Sequence, residues 1–243
     1  MPERSVHLLR LGPLPYGKAL ELQWKLHTEV VQTPPCLGTL LFTSHAPPVI
    51  TFGHSHGPEH LLVEGTRLRE QGIELQTVDR GGSITLHSPG QLVLYPILHL
   101  ERLGCRLRHF VATLEEVIIE VLALHGLTAG RHPDHPIGVW VDGRKICSLG
   151  LQLVHGVTLH GLALNVTNDL SLFDLIQPCG LSARGVMTSV GELLGVRAPS
   201  PSCLEDELAR ALAEHFELVF INRWFDDPTD GGRERALSED RGS

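Results

Sequence analysis

Apolar positions recur along the chain with two different spacings, and the switches between them predict the order of elements. From Gly17 to Gln32, Leu22, Leu26 and Val30 fall four residues apart, the stripe of an amphipathic helix. The segments "LGTLLFTSH" and "PVITFG", parted by Ala46-Pro47, and then "IELQTVD" carry the runs expected of strands. The run "QLVLYPIL" follows a Pro89-Gly90 turn. A helical stripe returns in Leu107, Phe110, Val111, Leu114, Val117, Ile118, Val121 and Leu122, closed by Gly126.

From Ile137 to Val166 the pattern becomes that of strands. "GVWV" and "RKICSLGLQLV" are joined by Asp142-Gly143, a two-residue type I′ hairpin signal. In that hairpin Val141 faces Arg144, Trp140 faces Lys145 and Val139 faces Ile146. "VTLHGLALNV" returns after His155-Gly156. Ser189 with Glu192, and Ser202 with Glu205, predict two capped helices. Hairpins mixed with separate helices define an α+β class with one mixed, largely antiparallel sheet and flanking helices. Without repeats or internal linkers, residues 1–224 read as a single domain. The polar stretch 225–243 reads as a disordered tail.

Composition narrows the function classes. Hydrophobic residues at 42% and charged ones at 20% describe an ordinary globular chain, and no apolar run is long enough to span a bilayer. The opening "MPERSVHLLRLG" has no signal-peptide core, so the expected location is cytoplasmic, with no membrane partner. A net charge of -8 argues against a general nucleic-acid surface. Five cysteines without a C-x-x-C pair read as reduced thiols. Lysines number only three, Lys18, Lys25 and Lys145, so a lysine inside a structured motif draws notice.

Three stretches carry candidate chemistry. Around Gly81 and Gly82 a loop between Arg80 and His87 offers backbone N–H groups to a polar or anionic ligand; it is neither a Walker loop nor a dinucleotide fingerprint. The bland alternative is a structural hairpin with a surface arginine. Opposite Trp140, at about 5 Å between Cβ atoms, Lys145 is a proton carrier if it is withdrawn from water and a sheet-edge lysine if it is not. Among the thiols, Cys179 in "FDLIQPCGL" sits in a turn suited to a nucleophile. Cys147 competes with it, because strand alternation puts it on the face of Lys145 about 7 Å along. Cys36, Cys105 and Cys203 read as inert.

Taken together, "DRGG", "HSPGQLVLYPIL", "GVWVDGRKI", "SLG", "HGLALNV" and "F-x-x-I-x-PCG" resemble, in order, the lipoyl(octanoyl) transferase family, the octanoyltransferases of lipoate biosynthesis. The resemblance runs from about residue 10 to about residue 222. It implies a fold like that of biotin- and lipoate-protein ligases. It also implies octanoyl transfer from acyl carrier protein to a lysine of a lipoyl domain, through a thioester on Cys179 with Lys145 beside it. The acceptors it implies are lipoyl domains of 2-oxoacid dehydrogenases and the glycine cleavage H protein. Substrate contacts fall on Arg80, Gly81, Gly82, Ser83, Ile84, Thr85, Leu86 and His87, on Ser148, Leu149 and Gly150, and on Gly161, Leu162 and Ala163. No cofactor and no metal are implied. Ser83, Leu86 and Ser88 depart from the family's usual glutamine, tyrosine and glycine.

Other classes compete. An ATP-dependent lipoate- or biotin-protein ligase shares a glycine-rich loop and a lysine; the P-C-G cysteine separates the two. Fifteen histidines, with His54, His56 and His60 close together, raise a metal-binding protein, but the spacing is loose and surface histidines are the stronger reading. A non-catalytic protein that binds acyl carriers is opposed by Cys179 and Lys145. Docking of an acidic carrier calls for a local arginine patch, for which Arg131, Arg144 and Arg184 are candidates.

Overall fold

The structure is a computed structural model that describes residues 4–55, 57–134, 137–177 and 185–222. The tail call at 225–243, and Cys179, His56 and Arg184, lie outside the described residues.

In chain order the strands are β1 (Ser5–Leu14), β2 (Gly38–His45), β3 (Val49–Phe52), β4 (Glu74–Thr77), β5 (Ile84–His87), β6 (Gln91–Leu98), β7 (Ala129–Gly130), β8 (Val139–Val141), β9 (Arg144–Val154), β10 (Val157–Asn165) and β11 (Val219–Asn222). The helices are α1 (Tyr16–Gln32), α2 (Gly65–Glu70), α3 (Leu100–Leu103), α4 (Leu107–Leu124), α5 (Val190–Leu194) and α6 (Pro201–Phe216).

Among the described residues the strands form two sheets where the sequence predicts one. The larger has the order β11-β1-β2-β6-β10-β9-β8-β7 and is antiparallel from β2 onward, with β11, β1 and β2 parallel. The smaller has the order β4-β3-β5 and closes over its own core of Ile50, Phe52, Ile84, Leu86 and Phe173. Period-two runs identify strands without saying which sheet they join, so this split is not readable from local pattern.

Helices cover both faces of the large sheet, which explains why every residue of β6 is buried. Leu92, Leu94 and Leu98 pack with Phe110, Leu114 and Ile118 of α4 and Leu208 and Leu212 of α6. Val93, Tyr95 and Ile97, the alternate set, pack with Ala19, Leu26 and Val30 of α1. Each such side chain contributes about 1.5–3 kcal/mol on burial, so the two layers hold the sheet rigid from both sides.

Both hairpin turns have the expected left-handed pairs: φ is 49° and 73° at Asp142 and Gly143, and 46° and 80° at His155 and Gly156. Two local predictions need correction. A bulge shifts the register next to Trp140, so Val139 faces Cys147 instead of Ile146. One extra residue in β9 breaks the alternation, and Ile146 and Cys147 both pack into the main core. At α6 the cap is Ser200, whose Oγ accepts from the N–H of Cys203 at 3.2 Å, with Pro201 in the first turn; the helix therefore starts before Ser202. At α5 the predicted cap holds, with Ser189 Oγ accepting from the N–H of Glu192 at 3.1 Å.

Candidate active site

A cleft enclosing about 620 Å³, part of it open to solvent, lies where the loop before β5 meets β9, β10 and the start of α1. It is lined by Arg80, Gly82, Ser83, Ile84, Thr85 and His87 from the loop and β5, Lys145, Ser148, Leu149 and Gly150 from β9, and Gly161, Leu162 and Ala163 from β10. Antiparallel pairing of Gly161 with Gly150, Leu162 with Leu149 and Ala163 with Ser148 explains why two motifs distant in sequence form one wall.

Two expected contact residues do not line it. The N–H of Gly81 donates to the Leu151 carbonyl at 2.9 Å, tying the loop to β9. Leu86 is fully buried in the core of the small sheet, because alternation along β5 turns it away from Thr85 and His87. The cleft also contains Tyr16, Tyr95, His160 and Met187, none of which was a sequence candidate. A signal existed for His160, which opens the "HGLALNV" motif and directly precedes Gly161. Tyr16, 79 residues before Tyr95 in the chain, offers none.

Arg80 is buried, not a surface arginine. Its guanidinium donates to Thr51 Oγ1 at 2.8 Å and 3.2 Å, to the Thr51 carbonyl at 2.8 Å and to the Gly81 carbonyl at 3.1 Å. The loop backbone adds His54 N–H to the Arg80 carbonyl at 3.1 Å and Ser55 N–H to the Gly82 carbonyl at 3.1 Å. These bonds fix the glycine loop to β3 and seat a positive charge in the cleft wall.

Around that charge the buried histidines and tyrosines stay neutral at physiological pH. Burial, then the Arg80 charge, lowers His160 to about 4 against a weak opposing pull from Asp79. Burial lowers His45 to about 4 against its bond to the Leu14 carbonyl. His87 is held well below its usual range by burial, then by His45, Arg80 and His160. Burial pushes Tyr16 up to about 12 and Tyr95 well above its usual range. Tyr16 OH lies 3.3 Å from His160 Nδ1, and His45 Nε2 lies 2.7 Å from Tyr95 OH. At the end of the cleft away from Lys145 along β9 and β10, the Arg80 charge is therefore ringed by uncharged hydrogen-bonding groups.

Lys145 is 5% exposed, which excludes the solvated sheet-edge reading. Its Nζ lies 5.6 Å from the centre of the Trp140 ring and donates to the Ile137 carbonyl at 3.3 Å. Its backbone bonds to the segment after the undescribed residues 178–184: Lys145 N–H to the Val186 carbonyl at 2.7 Å, and Thr188 N–H to the Lys145 carbonyl at 2.9 Å. Met187, between them, lines the cleft.

Cys147 is fully buried among Val139, Ile146 and Leu164 and does not line the cleft. Burial pushes its thiol up to about 12 despite the nearby Lys145 charge. Arg144 pairs with Glu192 at 2.5 Å, and Arg131 pairs with Glu115 at 2.8 Å and Glu116 at 3.1 Å, so both docking candidates are engaged within the chain. Among the described residues no three His, Cys, Asp or Glu side chains are grouped to hold a metal ion, and no helix is long and apolar enough to cross a membrane.

Residues 15–217 match the lipoyl protein ligase A/B catalytic domain, and the chain belongs to that family. Within it, this sequence is 41% identical over 222 residues to an octanoyltransferase of Chloroflexus aggregans, covering 90% of this chain and 98% of that one. It is 37% identical over 228 residues to a mitochondrial octanoyltransferase of Arabidopsis thaliana, covering 93% and 94%. In three dimensions it is similar to a putative lipoate protein ligase from T. acidophilum with bound lipoic acid, at a TM-score of 0.70, 18% identity, and 93% and 90% coverage; that likeness establishes the lipoate-ligase fold.

Proposed function

We propose that this chain is an octanoyltransferase that moves an octanoyl group from acyl carrier protein to a lysine of a lipoyl domain through a thioester on Cys179. The observation that carries the reading is the cleft itself, which gathers Lys145, the glycine loop and the two strand motifs around an apolar wall. Relatives at 37% and 41% identity over nearly the whole chain are octanoyltransferases, which supports the acyl group and the reaction class.

Burial of about seven methylenes at roughly 0.8 kcal/mol each supplies several kcal/mol of acyl binding. In the first transfer Lys145 takes the Cys179 proton. The thiolate attacks the carrier thioester, a new C–S bond forms, and the carrier sulfur leaves with the proton from Lys145. In the second, the neutral amine of the acceptor lysine attacks the Cys179 thioester, a C–N bond forms, and Lys145 relays the amine proton to the departing sulfur. One thioester replaces another before the downhill step to an amide, so no ATP is consumed.

The chain length between fixed points supports the pairing of Cys179 with Lys145. Ile176 packs in the same cluster as Met187, the residue bridged to Lys145. Cys179 is three residues past Ile176, a span of at most about 11 Å.

Incubation with octanoyl carrier and a lipoyl domain, without ATP, is expected to give octanoylated lipoyl domain, and Lys145→Ala to slow it about 100-fold or more. Transfer that requires ATP, with ATP–pyrophosphate exchange, would assign the chain to the ligase class instead.

A further inference from the structure

The peptide unit between Ile137 and Gly138 is held at both ends. Its carbonyl accepts from Lys145 Nζ at 3.3 Å, and its N–H donates to Glu115 Oε1 at 2.8 Å. Glu115 projects from the core-facing side of α4 and is 3% exposed. Its other oxygen accepts from Arg131 Nε at 2.8 Å, and Arg131 also donates to the Ala112 carbonyl at 2.8 Å and to Glu116 at 3.1 Å. Arg131 is 43% exposed, so the chain of bonds runs from the surface to the lysine.

Position 138 is built for this contact. Gly138 has φ of 127°, and a Cβ there would stand 2.5 Å from Lys145 Cε. The backbone at 138 thus lies against the end of the lysine stem, and a side chain there would push the amine away. A carboxylate on a core-facing helix stripe is costly to bury, so its retention calls for a task. The bonds supply one: hydrogen bonds in series polarise one another, and an anion at the N–H end makes the carbonyl at the other end a stronger acceptor.

We propose that Glu115 is a positioning residue for Lys145, orienting and polarising the Ile137–Gly138 peptide so that its carbonyl holds the lysine amine at the cleft wall. Arg131 sets how much of the carboxylate's charge reaches the amine. The proposal rests on Lys145 being the proton carrier of the transfer.

The test is the rate of acyl-enzyme formation in a single turnover, followed against pH in the wild type, Glu115→Gln and Arg131→Gln. Removing the carboxylate charge disfavours the ammonium form, so the rising limb moves to lower pH in Glu115→Gln. Exposing the charge favours that form, so the limb moves to higher pH in Arg131→Gln. In Glu115→Gln the plateau rate also falls about tenfold while KM for the lipoyl domain is unchanged. Limbs that stay in place, or move together, would reduce Glu115 to a packing role and overturn the proposal. If Glu115→Gln does not fold, Arg131→Gln alone decides: a limb at higher pH supports the proposal and an unmoved one overturns it. Undiminished transfer by Lys145→Ala would instead remove the lysine reading, a failure visible in that variant and separate from the shifts.

Discussion

The carbonyl oxygen of Gly81 sits directly over Gly150, so close that a Cβ at position 150 would stand 2.8 Å from it and 3.3 Å from Arg80 Cδ. The glycine loop is thereby seated on the strand that carries Lys145, and the wall of the cleft is set by the absence of one side chain. Gly150→Ala is expected to lift the loop and lower kcat/KM for octanoyl transfer about 10- to 100-fold, with a fall of only a few degrees in Tm. Unchanged kinetics would mean that the loop's seat does not shape the site.

Cys147 is held apart from the chemistry by its burial and by a thiol pushed up to about 12. Alkylation of the native protein near pH 8, followed by peptide mapping, should leave it unmodified until denaturant is added. Cys147→Ala should retain acyl-enzyme formation and lose about 1–2 kcal/mol of stability. Rapid native labelling at Cys147 would refute this.

The histidines of the polar end make stability depend on acid. Burial lowers His45 and His160 to about 4 in the folded protein, from the ordinary 6.5 of the unfolded chain. Between those values the unfolded chain binds more protons, so stability present above pH 6.5 is lost as pH falls towards 4. Each contributes on the order of 3 kcal/mol, with the same sign for His87. Urea denaturation at pH 7 and pH 4.5 measures the slope, and His160→Gln should flatten it. An unchanged slope in that variant would contradict the assigned cause.

Ala163 lines the cleft and also packs against the α1 layer, so it marks where the acyl wall is thin. Ala163→Val is expected to take up the space of about two methylenes. Octanoyl transfer should then fall relative to hexanoyl by about tenfold in kcat/KM, from roughly 0.8 kcal/mol per methylene. An unaltered ratio would place the acyl tail elsewhere.

What the sequence made legible was whatever depends on neighbours in the chain. The turns at Asp142-Gly143 and His155-Gly156, the α4 stripe and the facing of Trp140 and Lys145 all follow from local chemistry, and the structure has each of them. The bulge that parts Cys147 from Lys145 was not legible, because an extra residue in a strand leaves period two intact on either side. Tyr16 and Tyr95 were hidden for another reason: Tyr16 meets His160 only when α1 is laid across the large sheet, and Tyr95 finds its partner His45 on β2, 50 residues away. Glu115 carries no signal in the sequence, because its bond to the N–H of Gly138 exists only in the fold.

The most direct measurement is intact mass after mixing octanoyl carrier with the wild type, Cys179→Ser and Cys147→Ser in the absence of acceptor. The account predicts one octanoyl adduct on the wild type and on Cys147→Ser, labile to hydroxylamine, and no such thioester on Cys179→Ser. A hydroxylamine-labile adduct persisting on Cys179→Ser, and lost from Cys147→Ser, would contradict it.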